Sequence, residues 1–356
     1  MGSRDRRTTS ALIYNYFRVT TALTKLTHLE RLAIGCFLCE REKTPLYEYL
    51  LNNHSALLPD DISLSLTEKL ERLSNKYSQF HFQGLFPFDI SLSSDLEKNA
   101  FQKSMLIQPL VWIRIRKHQK ERVEAELSEK GIKPVCEDSG SLGFQPGTKL
   151  EDLNTFRDGS FEIQDLSSQQ TGSFFKPQAN EYWWDVCAGA GGKSLVLLEQ
   201  EGSVRLTATD VRPTILENYK KRLEKAGWKR FNLFCLDAAS APDLKKINKQ
   251  FDGIITDVPC SGSGTWSRTP EMHSIFRESQ LKAYSEKQKT IAANASDFLK
   301  PGQPLIYCTC SVFKAENEDV VQYLIAHKNM KLESAQLFCG YEKQADTLFA
   351  ARLIKA

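Results

Sequence analysis

The sequence predicts an α/β protein centred on a doubly wound parallel sheet, with a small α+β segment and a helical segment ahead of it. Three observations carry this. From Trp183 the chain alternates strand, loop and helix several times over. The strands in that stretch end in acidic residues or a glycine-rich turn, as strands do at the open edge of such a sheet. Upstream, the apolar period is helical to about residue 100 and then shortens to two.

The elements follow in order. In "TSALIYNYFRVTTALTKL", Leu12, Phe17, Leu23 and Leu26 fall at helical spacing, and "LERLAIGCFLC" continues the pattern. "SLTEKLERLSNKYSQF" is an amphipathic helix with Ser65 as N-cap and Glu68 three residues on. "GLFPFDIS" breaks the helical run, which gives a helical domain over 1–100. "PLVWIRIRKH" alternates, with Val111, Ile113 and Ile115 on one face and Trp112, Arg114 and Arg116 on the other. "QKERVEAELSEKGI" is a helix stopped by Gly131. Loops and short strands then complete an α+β subdomain over 105–178. The third domain, 179–356, opens with "YWWDVCAGAGGKSLVLLEQ", a strand, a Gly loop and a helix. "VRLTATD", "FNLFCLDAAS", "FDGIITDVP" and "QPLIYCTCS" are further strands, and "LKAYSEKQKTIAANASDFLKPG" is a helix between the last two.

Composition narrows the class. No run of about 18 apolar residues is present, so no membrane helix is expected. The polar start "MGSRDRRTTS" lacks a secretory h-region, and nine cysteines scattered over 356 residues do not form a dense disulfide scaffold. A reducing, cytoplasmic setting is expected. A net charge of +3 names no partner by itself.

Four strand ends carry carboxylates: Asp185, Asp210, Asp237 and Asp257. One strand-end Asp is more often a cap or turn residue, but four on consecutive strands of one sheet point to a ligand cleft. The loop Cys187, Ala188, Gly189, Ala190, Gly191, Gly192 and Lys193 lets backbone approach a ligand closely and leads into a helix N-terminus. It lacks the third glycine of a dinucleotide fingerprint, so it fits either NAD or S-adenosylmethionine. Asp210, ending the second strand, is placed for a ribose diol. Two cysteines lie at strand ends of the same sheet, Cys260 in "TDVPCSGSG" and Cys310 in "LIYCTCS". Both are expected to face the cleft. Cys308 alternates with Cys310 and is expected to point the same way, as an understudy. Cys36, Cys39, Cys136, Cys235 and Cys339 are expected to be small buried hydrophobes, and Cys187 to pack within its loop. Cys36 and Cys39 lack a second pair for zinc, so no metal is expected.

With "DVCAGAGGKS" upstream, "DVPCSGSG" and "YCTCS" resemble the motifs of the RNA cytosine carbon-5 methyltransferases of the Sun and nucleolar-protein-2 type, which include bacterial rRNA methyltransferase B. "FEIQDLSSQ" and the terminal "LFAARLIKA" match as well, so the resemblance covers about residues 105–356. Two departures stand out: Gly189-Ala190 replaces the family's Ala-Pro, and Cys308 adds a thiol beside the Thr-Cys-Ser motif. The resemblance implies a Rossmann-like methyltransferase domain, S-adenosyl-L-methionine as cofactor and RNA as partner, rRNA before tRNA, with the protein acting as a monomer. It assigns the cofactor to residues 187–193 with Asp210, Asp237 and Asp257. Asp210 holds the ribose and Asp237 lies near the adenine.

The chemistry explains the residue types. Carbon-5 of cytosine is a poor nucleophile, and adding a thiolate to carbon-6 turns the ring into an enamine that attacks a methyl sulfonium. The resemblance makes Cys310 that nucleophile, Cys260 the residue that assists release, and Asp257 the group that protonates nitrogen-3. The target base must leave its stack, which favours single-stranded or loop RNA. Trp112, Arg114 and Arg116, with Lys117, Lys120 and Arg122, offer either an RNA-facing strand or an ordinary solvated one. Two rivals remain: an NAD-dependent oxidoreductase, which leaves both strand-end cysteines idle, and an RNA-binding assembly factor with an inactive methyltransferase fold.

Overall fold

The computed structural model describes residues 3–356, and its contacts divide the chain into two units. The first comprises the N-terminal residues to Ile90, Glu97–Pro109 and Thr265–Glu278; the second comprises Ser91–Leu96, Leu110–Gly264 and Ser279–Ala356.

The first unit is helical. The opening helix, Ser3–Val19, ends sooner than its apolar spacing implies, and a second begins at His28. The cause is local. Thr27 and Glu30 form a reciprocal capping box that starts a new helix, so the pattern through Leu23 and Leu26 crosses a turn. Ser65 caps Leu66–Lys76 in the same way, with Glu68 returning the bond. Val19, Leu23, Ile34, Phe37, Leu51, Leu73 and Phe80 form the core here.

The second unit holds two sheets. The smaller contains β1 (Val111–Ile115), β2 (Cys136–Asp138), β3 (Ser141–Phe144) and β4 (Phe161–Ile163), antiparallel in the order β2-β3-β1-β4. Alternation along β1 works as expected: Ile113 joins Val123, Leu127, Phe144 and Phe161 in a core.

The larger sheet contains β5 (Tyr182–Asp185), β6 (Arg205–Asp210), β7 (Phe231–Cys235), β8 (Gly253–Asp257), β9 (Pro304–Thr309), β10 (Met330–Cys339) and β11 (Thr347–Lys355), in the order β10-β11-β9-β8-β5-β6-β7. Strands β5 to β9 run parallel, and β10 and β11 are antiparallel additions at one edge. Adjacent residues bury on opposite faces. Trp184, Ile254, Leu305 and Tyr307 pack on one side with Ile291, Ala292 and Val321, whereas Trp183, Ile255, Ile306 and Cys308 pack on the other with Leu195, Tyr219 and Leu223. Burial on both faces explains why these strands read as continuous apolar runs. Strand order reverses between β5 and β8, and the crevice at that reversal is where such sheets hold ligands.

Among the described residues, no helix is long and apolar enough to cross a membrane.

Candidate active site

The carboxyl ends of β5, β6, β8 and β9 bring the motif residues together. Strand β5 delivers the Gly loop. The Val186 and Ala188 amides donate to Ile255 and Thr209, pinning the loop between neighbouring strands. Gly189 and Gly191 have φ of +52° and +85°, a region that favours glycine. They differ in surroundings. A Cβ on Gly191 would meet Leu223 and Tyr219 at 2.8–2.9 Å, whereas one on Gly189 would meet nothing within 4 Å. Gly191 is therefore a packing glycine, and Gly189 borders open space.

Around that space lie carboxylates in different states. Asp210 is buried, and its Oδ2 accepts from the Gly189 amide at 3.0 Å. Arg212 donates to it from the backbone amide and from Nε and Nη2, all at 2.9–3.0 Å. Burial raises the Asp210 carboxyl, but these bonds outweigh it and hold the pKa below the ordinary value. Asp185 is fully buried; its Oδ2 accepts from Ser194 at 2.6 Å, and its Oδ1 has no hydrogen-bond partner among the described residues. Burial pushes its carboxyl up to about 7. Asp237 lies two residues beyond the end of β7 and accepts from the Ala239 amide at 2.9 Å. Val211, next to Asp210, is 51% exposed.

Lys193 leaves the loop for the neighbouring strand end. Its Nζ is buried and donates to Asp257 Oδ2 at 2.6 Å. Burial alone lowers a lysine, yet Asp257 reverses the direction and keeps the ammonium charged. Asp257 is 37% exposed, so one side of the pair faces outward.

The two cysteines meet. Strands β8 and β9 are parallel neighbours with Asp257 opposite Cys308, and Cys260 and Cys310 follow their ends by three residues and one. Their sulfurs are 3.3 Å apart. The bond to Cys310, with burial, pushes the Cys260 thiol well above the ordinary range.

Other expectations need correction. Cys308 does not share the cleft. It is buried in the core with Ile306 and Ala350, and burial pushes its thiol up to about 12. Strand alternation ends at Thr309, so Cys310 lies in a loop and the two-residue period no longer relates it to Cys308. Cys235 is exposed rather than buried, because it sits on the edge strand β7. The face of Trp112, Arg114 and Arg116 turns inward. Trp112 is buried, Arg114 pairs with Glu199 and Gln164, and Arg116 reaches Glu199 at 3.4 Å. Sequence inspection missed Ser194, Arg212, Gln288 and Glu316. Ser194, the last residue of the quoted Gly-loop motif, and Arg212, two residues after a strand-end Asp, carried a local signal.

The family model of 16S rRNA methyltransferase RsmB/F matches residues 173–354. The chain is similar to ribosomal RNA small subunit methyltransferase B of Shewanella oneidensis, 33% identical over 216 residues that cover 57% of this chain and 50% of that protein. It thus spans about half the length of the curated relatives it matches. Its fold resembles the crystal structure of PH0851, with TM-score 0.72 and 21% identity over 99% of this chain and 91% of that one. It also resembles NSun6 from Pyrococcus horikoshii with SFG, with TM-score 0.64 and 19% identity over 80% of this chain and 97% of that one. With the family model spanning more than half of its residues, the chain belongs to the 16S rRNA methyltransferase RsmB/F family.

Proposed function

We propose that this protein transfers a methyl group from S-adenosyl-L-methionine to carbon-5 of a cytosine in rRNA, through transient attachment of Cys310 to carbon-6. The observation that carries this reading is the 3.3 Å separation of Cys260 and Cys310, beside the Lys193–Asp257 pair on the adjacent strand end. An NAD-dependent oxidoreductase has no use for two apposed thiols, and an inactive assembly factor has no need to retain them.

The loop residues fit the cofactor. Open space at Gly189 admits it, the Asp210 carboxylate offers acceptors to a ribose diol, and Val211 offers apolar surface to a purine ring. Asp237 stands near that ring, and Cys187, Ala188, Ala190 and Gly192 supply the wall. When bound, the cofactor supplies an electrophilic methyl.

The chain's own residues do the rest. The Cys310 sulfur forms a bond to carbon-6 of the flipped base as its thiol proton passes to the Asp257 carboxylate, and Asp257 hands that proton to nitrogen-3, which takes up the electron pair displaced from the ring. Lys193, buried and charged, orients Asp257 for that transfer. Carbon-5 then carries the new methyl and gives its proton to a water, the bond to Cys310 breaks as the ring double bond re-forms, and nitrogen-3 returns its proton to Asp257. The Cys260 thiol, protonated near neutrality because its pKa is raised, hydrogen-bonds to the departing sulfur and stabilises it as thiolate.

The three-part division belongs to the same proposal: a helical RNA-binding domain over 1–100, an α+β subdomain over 105–178 and the methyltransferase domain over 179–356. Bisulfite sequencing of rRNA from cells lacking the gene tests the reading. Loss of methylation at one or a few cytosines is expected, and an unchanged pattern would reject it.

A further inference from the structure

The two thiols are held by a buried carboxylate that the chemistry above does not use. Glu316 is fully buried in the loop after β9. Its Oε2 accepts from Ser261 Oγ and from Ser311 Oγ, each at 2.5 Å. These are the residues that directly follow Cys260 and Cys310. Its Oε1 accepts from the Ser261 backbone amide at 2.8 Å and from Gln288 Nε2 at 2.8 Å. Gln288 Nε2 also donates to the carbonyl of Pro259 at 3.0 Å, on the other side of Cys260. The neighbouring Asn317 acts likewise around Cys310. Its Nδ2 donates to the Ser311 carbonyl at 2.8 Å, and its Oδ1 accepts from Thr309 Oγ1 at 2.5 Å. Both cysteines are thus fixed from the residue before and the residue after.

We propose that Glu316 is a positioning residue that sets the sulfur–sulfur spacing of Cys260 and Cys310, so that release follows attack. A buried carboxylate costs desolvation, and well-packed apolar replacements are often at least as stable. Stability alone does not explain why four donors converge on one side chain. Registration of two separate loops does, because a shared acceptor couples their movements. The role in release rests on the two-thiol reading proposed above; the spacing does not.

The test uses the full chain and two readouts. Diamide oxidises the two thiols to a disulfide, taking up their hydrogens and becoming the hydrazine, and the product is read by peptide mapping. In the wild type the Cys260–Cys310 disulfide should form rapidly. In Glu316→Gln, which keeps the shape but removes an acceptor, the rate should fall about tenfold or more, as misplacement of apposed groups does. The reactivity of exposed Cys235 should hold steady, which shows that the variant is folded. The second readout is the lifetime of a covalent adduct with substrate RNA, which should lengthen. Should Glu316→Gln not fold, Ser261→Ala removes a single donor and should give a smaller loss of rate. An unchanged disulfide rate in a folded variant overturns the proposal. A slowed disulfide with no adduct even in the wild type would uphold the positioning role and reject the cysteine chemistry.

Discussion

The two halves of the site are built to different tolerances. On the proposed cofactor side, Gly189 borders open space and the Asp210 carboxylate is covered by an exposed arginine. On the thiol side, Ser261, Ser263, Ser311, Gln288 and Asn317 form a buried mesh around Glu316. The difference matches what each half would do under the proposed function. A cofactor brings its own hydrogen-bonding groups and completes a loose cradle by binding. Under the proposed mechanism two sulfurs act in succession on one ring and bring no partner to position them, and an error of about 1 Å in such a pair costs on the order of a hundredfold in rate.

Changes on the cofactor side probe how far its looseness extends. The largest effect there should come from Asp185, whose carboxyl is pushed up to about 7 by burial. Between about pH 4 and 7 the folded state holds a proton that the unfolded chain has released, so stability falls as pH rises through that window. Asp185→Asn should flatten this dependence and raise stability at pH 8 by a few kcal/mol, at about 1.4 kcal/mol per pH unit. Urea unfolding at pH 5 and pH 8 checks it; parallel losses in both proteins would show that Asp185 is not the group.

The paired glycines sharpen the contrast within one loop. Gly191→Ala should cost about 2–3 kcal/mol, since positive φ adds to a clash with Tyr219 and Leu223. Gly189→Ala should cost only about 1 kcal/mol of stability, because the new methyl enters empty space. It should instead weaken S-adenosyl-L-methionine binding by calorimetry. Equal effects on folding and binding at the two positions would remove the distinction between packing and cradle.

Cys308 should show the smallest effect. Cys308→Ala leaves a hole of about one sulfur in a core, worth about 1 kcal/mol, and should leave turnover intact. A large loss of activity would restore it as a working thiol.

Much of this was legible in the sequence because it is local. Strand ends, the Gly loop, Asp210, Asp257 and both strand-end cysteines follow from period, turn chemistry and motif. The turn between the first two helices was missed because the apolar spacing runs on through it while Thr27 and Glu30 start a new helix. Strand β10 was missed because it lies at the outer edge and exposes most of its residues, so it lacks a continuous apolar run. The inward turn of Arg114 depends on Glu199, 85 positions away. Glu316 was invisible for the same reason: Ser261 is 55 residues distant and Gln288 is 28, and no local pattern marks a carboxylate as buried.

The proposed division of labour between the two sulfurs is tested most directly by trapping. Cys310→Ala and Cys260→Ala are each incubated with substrate RNA and S-adenosyl-L-methionine, then run on a denaturing gel. Cys310→Ala should give no protein–RNA band and lose turnover by about 10⁴-fold or more, because its nucleophile is gone. Cys260→Ala should attack and methylate but fail to release, giving a persistent slow-migrating band. A band from Cys310→Ala and none from Cys260→Ala would reverse the roles and contradict the account.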